Sequence, residues 1–540
     1  MTASPSTQGL SPSALQVLIS RLTGVAEEMG TVLQRSAFSP NIKERADCSS
    51  ALFTLDGLLL VQAEHIPVHL GSMPASVGAV IDAFPDVEAG EQFVVNDPFA
   101  GGTHLNDITV VAPCLVDGRL VGWAANRAHH ADVGGAAPGS IPADAEEIFE
   151  EGFRIPPVRL TDDLRSLLLA NSRTPEERVG DLDAQVGANV LGVRRLAEMH
   201  DAPIGEVVAY GERRMRAALA ALPDGNWEAE DVLDSTGEAP EQQRPSTIRV
   251  RLTVSSENLH VDFTGTDPQS AGNVNAVAAV TRSAVSFAVR SVVDPTLPAN
   301  GGAEVPVELV LPEGSIIAAR PPAAVGAGNV EVSQRVADLV LAVLAQADPT
   351  RVAAGNQGTM NNLLLGGSAS VANGRRGWVY YETVGGGQGG RSHLGAAQPG
   401  QSGIQTGMTN TKNTPIEALE RAYPLRVLRY RLRRGSGGAG WAPGGEGIER
   451  DLQVLEDVTV SLITERRVSR PKGLAGGEDG ATGENWLLPQ GDEARAERLP
   501  DKCTIRMKAG DVLRMLTPGG GGWGDTAWLT SGSEAGPSRD

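Results

Sequence analysis

The sequence predicts an α+β class: a large multi-domain mixed fold with paired hairpins near the N-terminus and a β-rich C-terminal region. Three observations predict it. A chain of 540 residues is too long for a single hydrophobic core. Helical and strand periodicities fall in separate blocks rather than in strict alternation. Glycine is abundant at 65 residues while aromatics make up only 4%, a mix that suits tight turns and close backbone packing.

The elements follow in order. Residues 1–10 are polar and read as a disordered tail. Ser11 can cap a first helix with Pro12 in its first turn, and Leu15, Leu18, Leu22, Val25, Met29, Val32 and Leu33 recur at helical spacing. This is a buried amphipathic helix with no chemistry of its own. "SSALFTLDGLLLVQ" then splits into two apolar runs about Asp56-Gly57, a hairpin signal. A second hairpin follows, in which "ITVVAPCLV" and "RLVGWAANRAH" flank Asp117-Gly118, a pair preferred in type I′ turns. Residues 161–222 read as mainly helical. From about 240 the chain turns to strands ("TIRVRLTVSS", "LHVDFTGT", "VPVELVLP"), with helices returning over 275–293 and 330–346. From about 425 strands alternate with Gly-rich turns, ending in "TPGGGGWGD". These shifts divide the chain into an N-terminal α+β domain over 11–240, a central α/β domain over 241–425, a β-rich domain over 426–527 and a polar tail over 528–540.

Composition excludes several classes of function. A net charge of −20 with no basic patch argues against nucleic-acid binding. No apolar run approaches the roughly 20 residues that span a bilayer. The start "MTASPSTQGLSPS" lacks a signal peptide's basic and apolar regions, and Cys48, Cys114 and Cys503 form no CxxC pair. A cytoplasmic protein is expected. The Gly-rich stretches at 380–392 and 517–525 match neither phosphate-binding fingerprint and read as tight turns. Any ATP site therefore belongs to another chain.

Candidate chemistry gathers between Asn96 and Gly135, which hold His104, Asp107, His129, His130 and Asp132, although the whole chain has only 8 histidines. With a two-residue loop at Asp117-Gly118, Val116 faces Arg119, and Asn106 and Asp107 fall opposite His129 and Ala128. Asp107 and His129 then meet at the open end of the hairpin, with His104 three residues before Asp107. A His-x-x-Asp pair with a returning histidine suits a divalent metal. In the first hairpin Asp47 and Cys48 fall opposite Ile66 and His65, with His69 a step beyond, and a bulge in either hairpin shifts these pairings by one residue. The bland alternative is that these are solvated groups at strand ends. His130, next to His129, points to the opposite face. Asn273 and Asn275 read as caps or turn formers, and Cys48 and Cys114 as core thiols.

At these residues the chain resembles the B-subunit family of ATP-dependent hydantoinases and oxoprolinases, which includes subunits of acetone and acetophenone carboxylases. The resemblance runs from about Ser11 to Asp525. It is carried by "SPNIKERADCSSALF", "QAEHIPVHLGSMP", "NDPFAGGTHLND", "AHHADVGG", "EEGFRIPPVRL", "DFTGTDPQSAGNVNA", "GNVEVSQRVAD", "YYETVGGGQGGR", "MTNTKNTPIEALE" and "TPGGGGWGD". It implies a hetero-oligomer in which an A-type ATPase subunit binds ATP and phosphorylates the substrate. This chain then holds a divalent metal, zinc, manganese or similar, on Asp47, His104, Asp107 and His129, so that both hairpins serve one metal site. The implied activity is ATP-dependent opening of a hydantoin, 5-oxoproline or lactam ring. His65, His130, Asp132 and Glu151 are candidates for orienting the ligands or moving protons. Two other readings stay open: a subunit of a ketone carboxylase, and a non-catalytic scaffold. Many relatives carry a histidine just before "MTNT", where this chain has Gly407.

Overall fold

In the computed structural model, residues 10–63, 66–237, 245–367 and 377–526 are described. Both predicted tails, apart from Leu10, and His65 lie outside them.

The first helix, α1, spans Pro12–Ser36, with Ser11 Oγ accepting from the Ala14 N–H. Its buried face is the predicted one, from Leu15 through Leu22 and Met29 to Leu33. That face packs on the helix Pro175–Ala197, where Gly192 lies against the Met29 thioether. A six-stranded sheet lies beneath. Its strands are β1 (Cys48–Phe53), β2 (Leu59–Ala63), β3 (Phe93–Val95), β4 (Asp107–Val116), β5 (Arg119–His129) and β6 (Val158–Arg159), in the order β2-β1-β5-β4-β3-β6. One face carries Cys48, Leu52, Cys114, Ala124 and Ala128 into the core under α1. The other carries Ala51, Phe53, Val111 and Trp123 against the helix Met73–Ala83. Cover on both faces explains why β1 and β2 are continuously buried rather than alternating.

Both predicted hairpins form. β1 pairs with β2 in the expected register, Ser50 opposite Ala63, as far as Leu52. In the second hairpin Asp117 and Gly118 both adopt positive φ, 49° and 72°, and Val116 faces Arg119. A bulge between Cys114 and Leu115 then moves the pairing by one residue. Asp107 consequently stands opposite His129, which corrects the uniform register that placed it opposite Ala128.

Downstream, strands Gly225–Leu233, Ser246–Ser255, Asn258–Asp262 and Val307–Val310 form a second sheet. Ser246–Ser255 alternates buried and accessible residues, and the sheet's apolar face shares one core with helices Ala278–Val293 and Ser333–Ala347. Two further sheets are built from Asn362–Gly367, Trp378–Thr383, Val458–Ile463 and Lys502–Met507, and from five strands between Leu425 and Leu516. A buried ionic cluster joins the middle of the chain to its C-terminal part. Arg335 meets Asp231 at 2.8 Å and Glu465 at 2.6 Å, and Lys502 meets Glu465 at 2.6 Å.

The Gly-rich stretches do more than turn. Gly387 donates to the Pro518 carbonyl, Gly390 to Gly521 and Gly520 to Gly445, so separate glycine segments are bonded backbone to backbone. A Cβ on Gly520 would lie 2.1 Å from the Gln388 carbonyl oxygen. Close approach, rather than turn geometry, is what demands glycine there. Among the described residues no helix is long and apolar enough to cross a membrane.

Candidate metal centre

Three adjacent strand ends converge on one point. β5 lies between β1 and β4, Asp107 faces His129 across the β4–β5 ladder, and the His129 N–H donates to the Asp47 carbonyl at 3.0 Å. Asp47, His129 and Asp107 thus stand abreast on neighbouring strands. His104 arrives from the preceding turn, where its carbonyl accepts from the Asp107 N–H. That turn follows Gly101, held at φ 94°, and Gly102, whose Cβ would meet the Asn96 carbonyl at 2.6 Å. Backbone packs on backbone there, which leaves no room for a side chain.

The donor atoms are close-set. His104 Nε2 lies 3.2 Å and His129 Nδ1 3.3 Å from Asp107 Oδ1, and the two nitrogens are 3.2 Å apart. Tetrahedral ligands at zinc–nitrogen distances near 2.1 Å are separated by about 3.4 Å. The triangle of His104, Asp107 and His129 has that size, so these residues fit a divalent ion. All of them are buried, as is Asp47.

Electrostatics agrees with the fit. Burial holds the His129 imidazole at a pKa of about 4 and lowers that of His69, which keeps both rings neutral, as metal ligation requires. Burial alone would raise the Asp107 pKa. The charge and hydrogen bonds of His104, with bonds from His129 and His69, outweigh it and hold the carboxyl well below the usual range. For Asp47, burial outweighs the opposing Arg45 and raises the pKa to about 6. A cation bound between the two carboxylates would offset the cost of burying their negative charge.

The other predicted residues lie elsewhere. His130 points away from the centre, its Nε2 2.9 Å from Gln185 Oε1. Asp132 accepts from Arg173 Nη1 and the Arg173 N–H, both at 2.9 Å. Glu151 Oε1 accepts from the Val325 and Gly326 N–H groups, and burial raises its pKa to about 8. His130 thus bonds the helix Pro175–Ala197, while Asp132 and Glu151 hold loops around the sheet. Asn273 and Asn275 bond backbone carbonyls, including Pro142 and Ala324, as turn-forming residues do. Cys48 and Cys114 are buried free thiols.

Some residues at the centre escaped the sequence reading. His69 was passed over for His65, yet its Nε2 lies 3.5 Å from Asp107 Oδ2 while Ser49 Oγ, 3.0 Å from Nδ1, orients the ring. Thr103 Oγ1 donates to Asp107 Oδ2 at 2.6 Å. Tyr381 stacks on His129 with centroids 4.5 Å apart and an interplanar angle of 15°. Arg45, fully buried, donates to the Tyr381 carbonyl and to the Thr383 and Thr411 hydroxyls, tying the "KERAD" turn to the C-terminal half. The available signal for His69 is its place one step beyond His65 in the first hairpin. Nothing local signals Tyr381, because the fold alone brings it there.

A cavity of about 20 Å³ adjoins Asp47, His69, Asp107 and His129, room for about one water or ion. Thr409 and Thr411 of the "MTNT" segment line it as well. Just before them, Gly407 sits at φ 62°, and a Cβ there would lie 2.1 Å from Gln334 Oε1. Gln334 thus fills the space beside Gly407 and accepts from the Met408 N–H at 3.2 Å.

A family model described as Hydantoinase B/oxoprolinase matches residues 11–526. An uncharacterized protein of Methanocaldococcus jannaschii is 38% identical over 528 residues, covering 94% of this chain and 90% of its own. 5-oxoprolinase 1 of Arabidopsis thaliana is 37% identical over 553 residues, covering 94% of this chain. The chain spans only 41% of that plant protein's length. The crystal structure of the ATP-dependent caprolactamase from Pseudomonas jessenii superposes with a TM-score of 0.86 at 28% identity, over 97% of this chain and 94% of the other. Nucleotide-free acetone carboxylase superposes with a TM-score of 0.84 at 19% identity, over 95% of this chain and 76% of the other, a likeness of fold alone. The chain belongs to the hydantoinase B/oxoprolinase family.

Proposed function

We propose that this chain is the metal-binding B-type component of an ATP-dependent cyclic-amide hydrolase, acting on a ring that an A-type ATPase partner phosphorylates. The observation that carries the metal assignment is the donor triangle of His104, Asp107 and His129 at 3.2–3.3 Å, buried beside a cavity of ion size. Relatives named for oxoproline and caprolactam support the substrate class.

The chemistry follows from what an amide lacks. Resonance makes its carbon a poor electrophile, and O-phosphorylation by the partner removes that protection. A divalent ion bound in the centre would supply Lewis acidity that makes water a stronger nucleophile at neutral pH. His104, Asp107, His129 and Asp47 would hold it, with His69 beside Asp107. Ser49 fixes the His69 ring, Thr103 fixes Asp107, and Tyr381 stacks against His129, so the donors are positioned before substrate arrives. Burial of the whole set keeps bulk water away from an activated ester that would otherwise hydrolyse unproductively.

Metal analysis of the purified chain tests the assignment. Wild-type protein should retain about one zinc or manganese ion per chain after dialysis, and His129→Ala should retain none while remaining folded. An active His129→Ala variant without metal contradicts the proposal.

A further inference from the structure

The cavity beside Asp107 and His129 has a second wall that metal binding does not explain. Asn329, Val330 and Met360 form part of it. Asn329 is 3% exposed, and its Oδ1 is buried without a hydrogen-bond partner, an arrangement that folding alone disfavours.

Its backbone is firmly held. Residues Gly328–Val332 form a single π-helical turn ahead of the helix Ser333–Ala347, a feature that recurs at functional sites. A Cβ on Gly328 would sit 1.9 Å from the Asn275 carbonyl oxygen, and the Gly328 and Ala327 N–H groups both donate to the Asn273 carbonyl. On the far side of the turn Glu331 Oε1 accepts from the Met360 N–H at 3.2 Å and from Asn362 Nδ2 at 3.0 Å. Asn362 Oδ1 in turn accepts from the Tyr381 hydroxyl at 2.9 Å, the same tyrosine that stacks on His129. One set of buried contacts therefore fixes the wall carrying Asn329 relative to the wall carrying the metal ligands.

We infer that Asn329 is the specificity-determining contact for the substrate's ring nitrogen: its Oδ1 accepts the N–H of a cyclic amide whose carbonyl faces His104, Asp107 and His129. The inference rests on the cyclic-amide reading above and adds the group that the ring must offer. A cyclic amide carries a donor beside its carbonyl, whereas a ketone or an N-alkylated ring carries none. Without that donor Oδ1 stays desolvated and unpaired, so such a ring is rejected by roughly 10- to 100-fold. The cavity of about 20 Å³ is smaller than a lactam, so the inference requires the wall of Asn329 and that of Thr409 and Thr411 to separate when the ring enters.

The test uses the full chain co-purified with its ATPase partner. ATP consumption is measured on caprolactam and 5-oxoproline and on their N-methyl counterparts. N-methylation should lower the wild-type kcat/KM by roughly 10- to 100-fold. Asn329→Ala should slow the parent ring alone, nearly equalising the two, with metal content unchanged. Asn329→Asp, which keeps an acceptor, should keep the preference. An Asn329→Ala variant that still prefers the N–H ring, or slows both rings equally, overturns the inference. Turnover of no cyclic amide by the wild type defeats the cyclic-amide reading instead. Saturation-transfer NMR of caprolactam and N-methylcaprolactam on the full chain then decides on Asn329 separately. A signal selective for the N–H ring and lost in Asn329→Ala supports it, and equal signals overturn it.

Discussion

His129 has Asp47 and Asp107 on the strands either side, Tyr381 stacked on its ring and His104 at 3.2 Å, so its removal tests the centre as a unit. Asp107→Asn is the gentler test. It keeps size and one oxygen but loses the charge that offsets the cation, and should weaken metal retention by roughly 10- to 100-fold, measured by competition with a chelator dye. Glu151 tests burial rather than chemistry. Its folded pKa of about 8 lies above the ordinary carboxyl value of 4.5, so over that window the folded state holds a proton that the unfolded state has lost. Stability therefore falls as pH rises from about 4.5 to 8, by about 1.4 kcal/mol per pH unit for this group. Glu151→Gln keeps the oxygen that accepts from Val325 and Gly326 and removes the titration. Its urea midpoints at pH 5 and pH 8 should lie closer together than those of the wild type, and an unchanged gap contradicts the shift. At this scale the sequence was legible where ligands lie on one hairpin. His104, Asp107 and His129 belong to one hairpin and the turn before it, so turn arithmetic brought them to its open end, one residue out of register. Tyr381 and Arg45 were not legible, because their roles arise from contacts between distant parts of the chain.

The elements that place these residues were legible in kind, but not always in register. Ser11, Pro12 and the apolar spacing marked α1, and Asp117-Gly118 marked the turn between β4 and β5. The bulge opposite Cys114 and Leu115 leaves Val121 unpaired, which nothing in the sequence marks because valine is an ordinary strand residue, and it decides which residue faces Asp107. The Gly-rich stretches were read as turns because a sequence shows that glycine is present without showing what lies beside it. Gly520→Ala separates the two roles. A methyl group 2.1 Å from the Gln388 carbonyl, with backbone on both sides, should destabilise the protein by at least about 3 kcal/mol in urea unfolding followed by Trp fluorescence. A loss below about 1 kcal/mol would mean that the glycine segments are not closely packed.

At the scale of the whole molecule, distant segments meet in ways that no local pattern announces. Arg335 joins Asp231 of the second sheet to Glu465, two residues past the strand Val458–Ile463, and Lys502 reaches the same Glu465. Arg335→Ala leaves Glu465 to Lys502 alone and Asp231 to Arg466 alone, and loss of this fully buried cation should cost about 3–5 kcal/mol in urea unfolding. A loss near zero contradicts the clamp. The described chain carries a candidate metal centre, and its sequence lacks both phosphate-binding fingerprints, so the purified chain alone should consume no ATP. The most direct measurement is ATP consumption by this chain together with the proposed A-type subunit, on a panel of cyclic amides and ketones, with and without bicarbonate. Turnover of a cyclic amide, indifferent to bicarbonate and lost in His129→Ala, is the expected result. Turnover that requires a ketone and bicarbonate contradicts the hydrolase and makes the chain a carboxylase component.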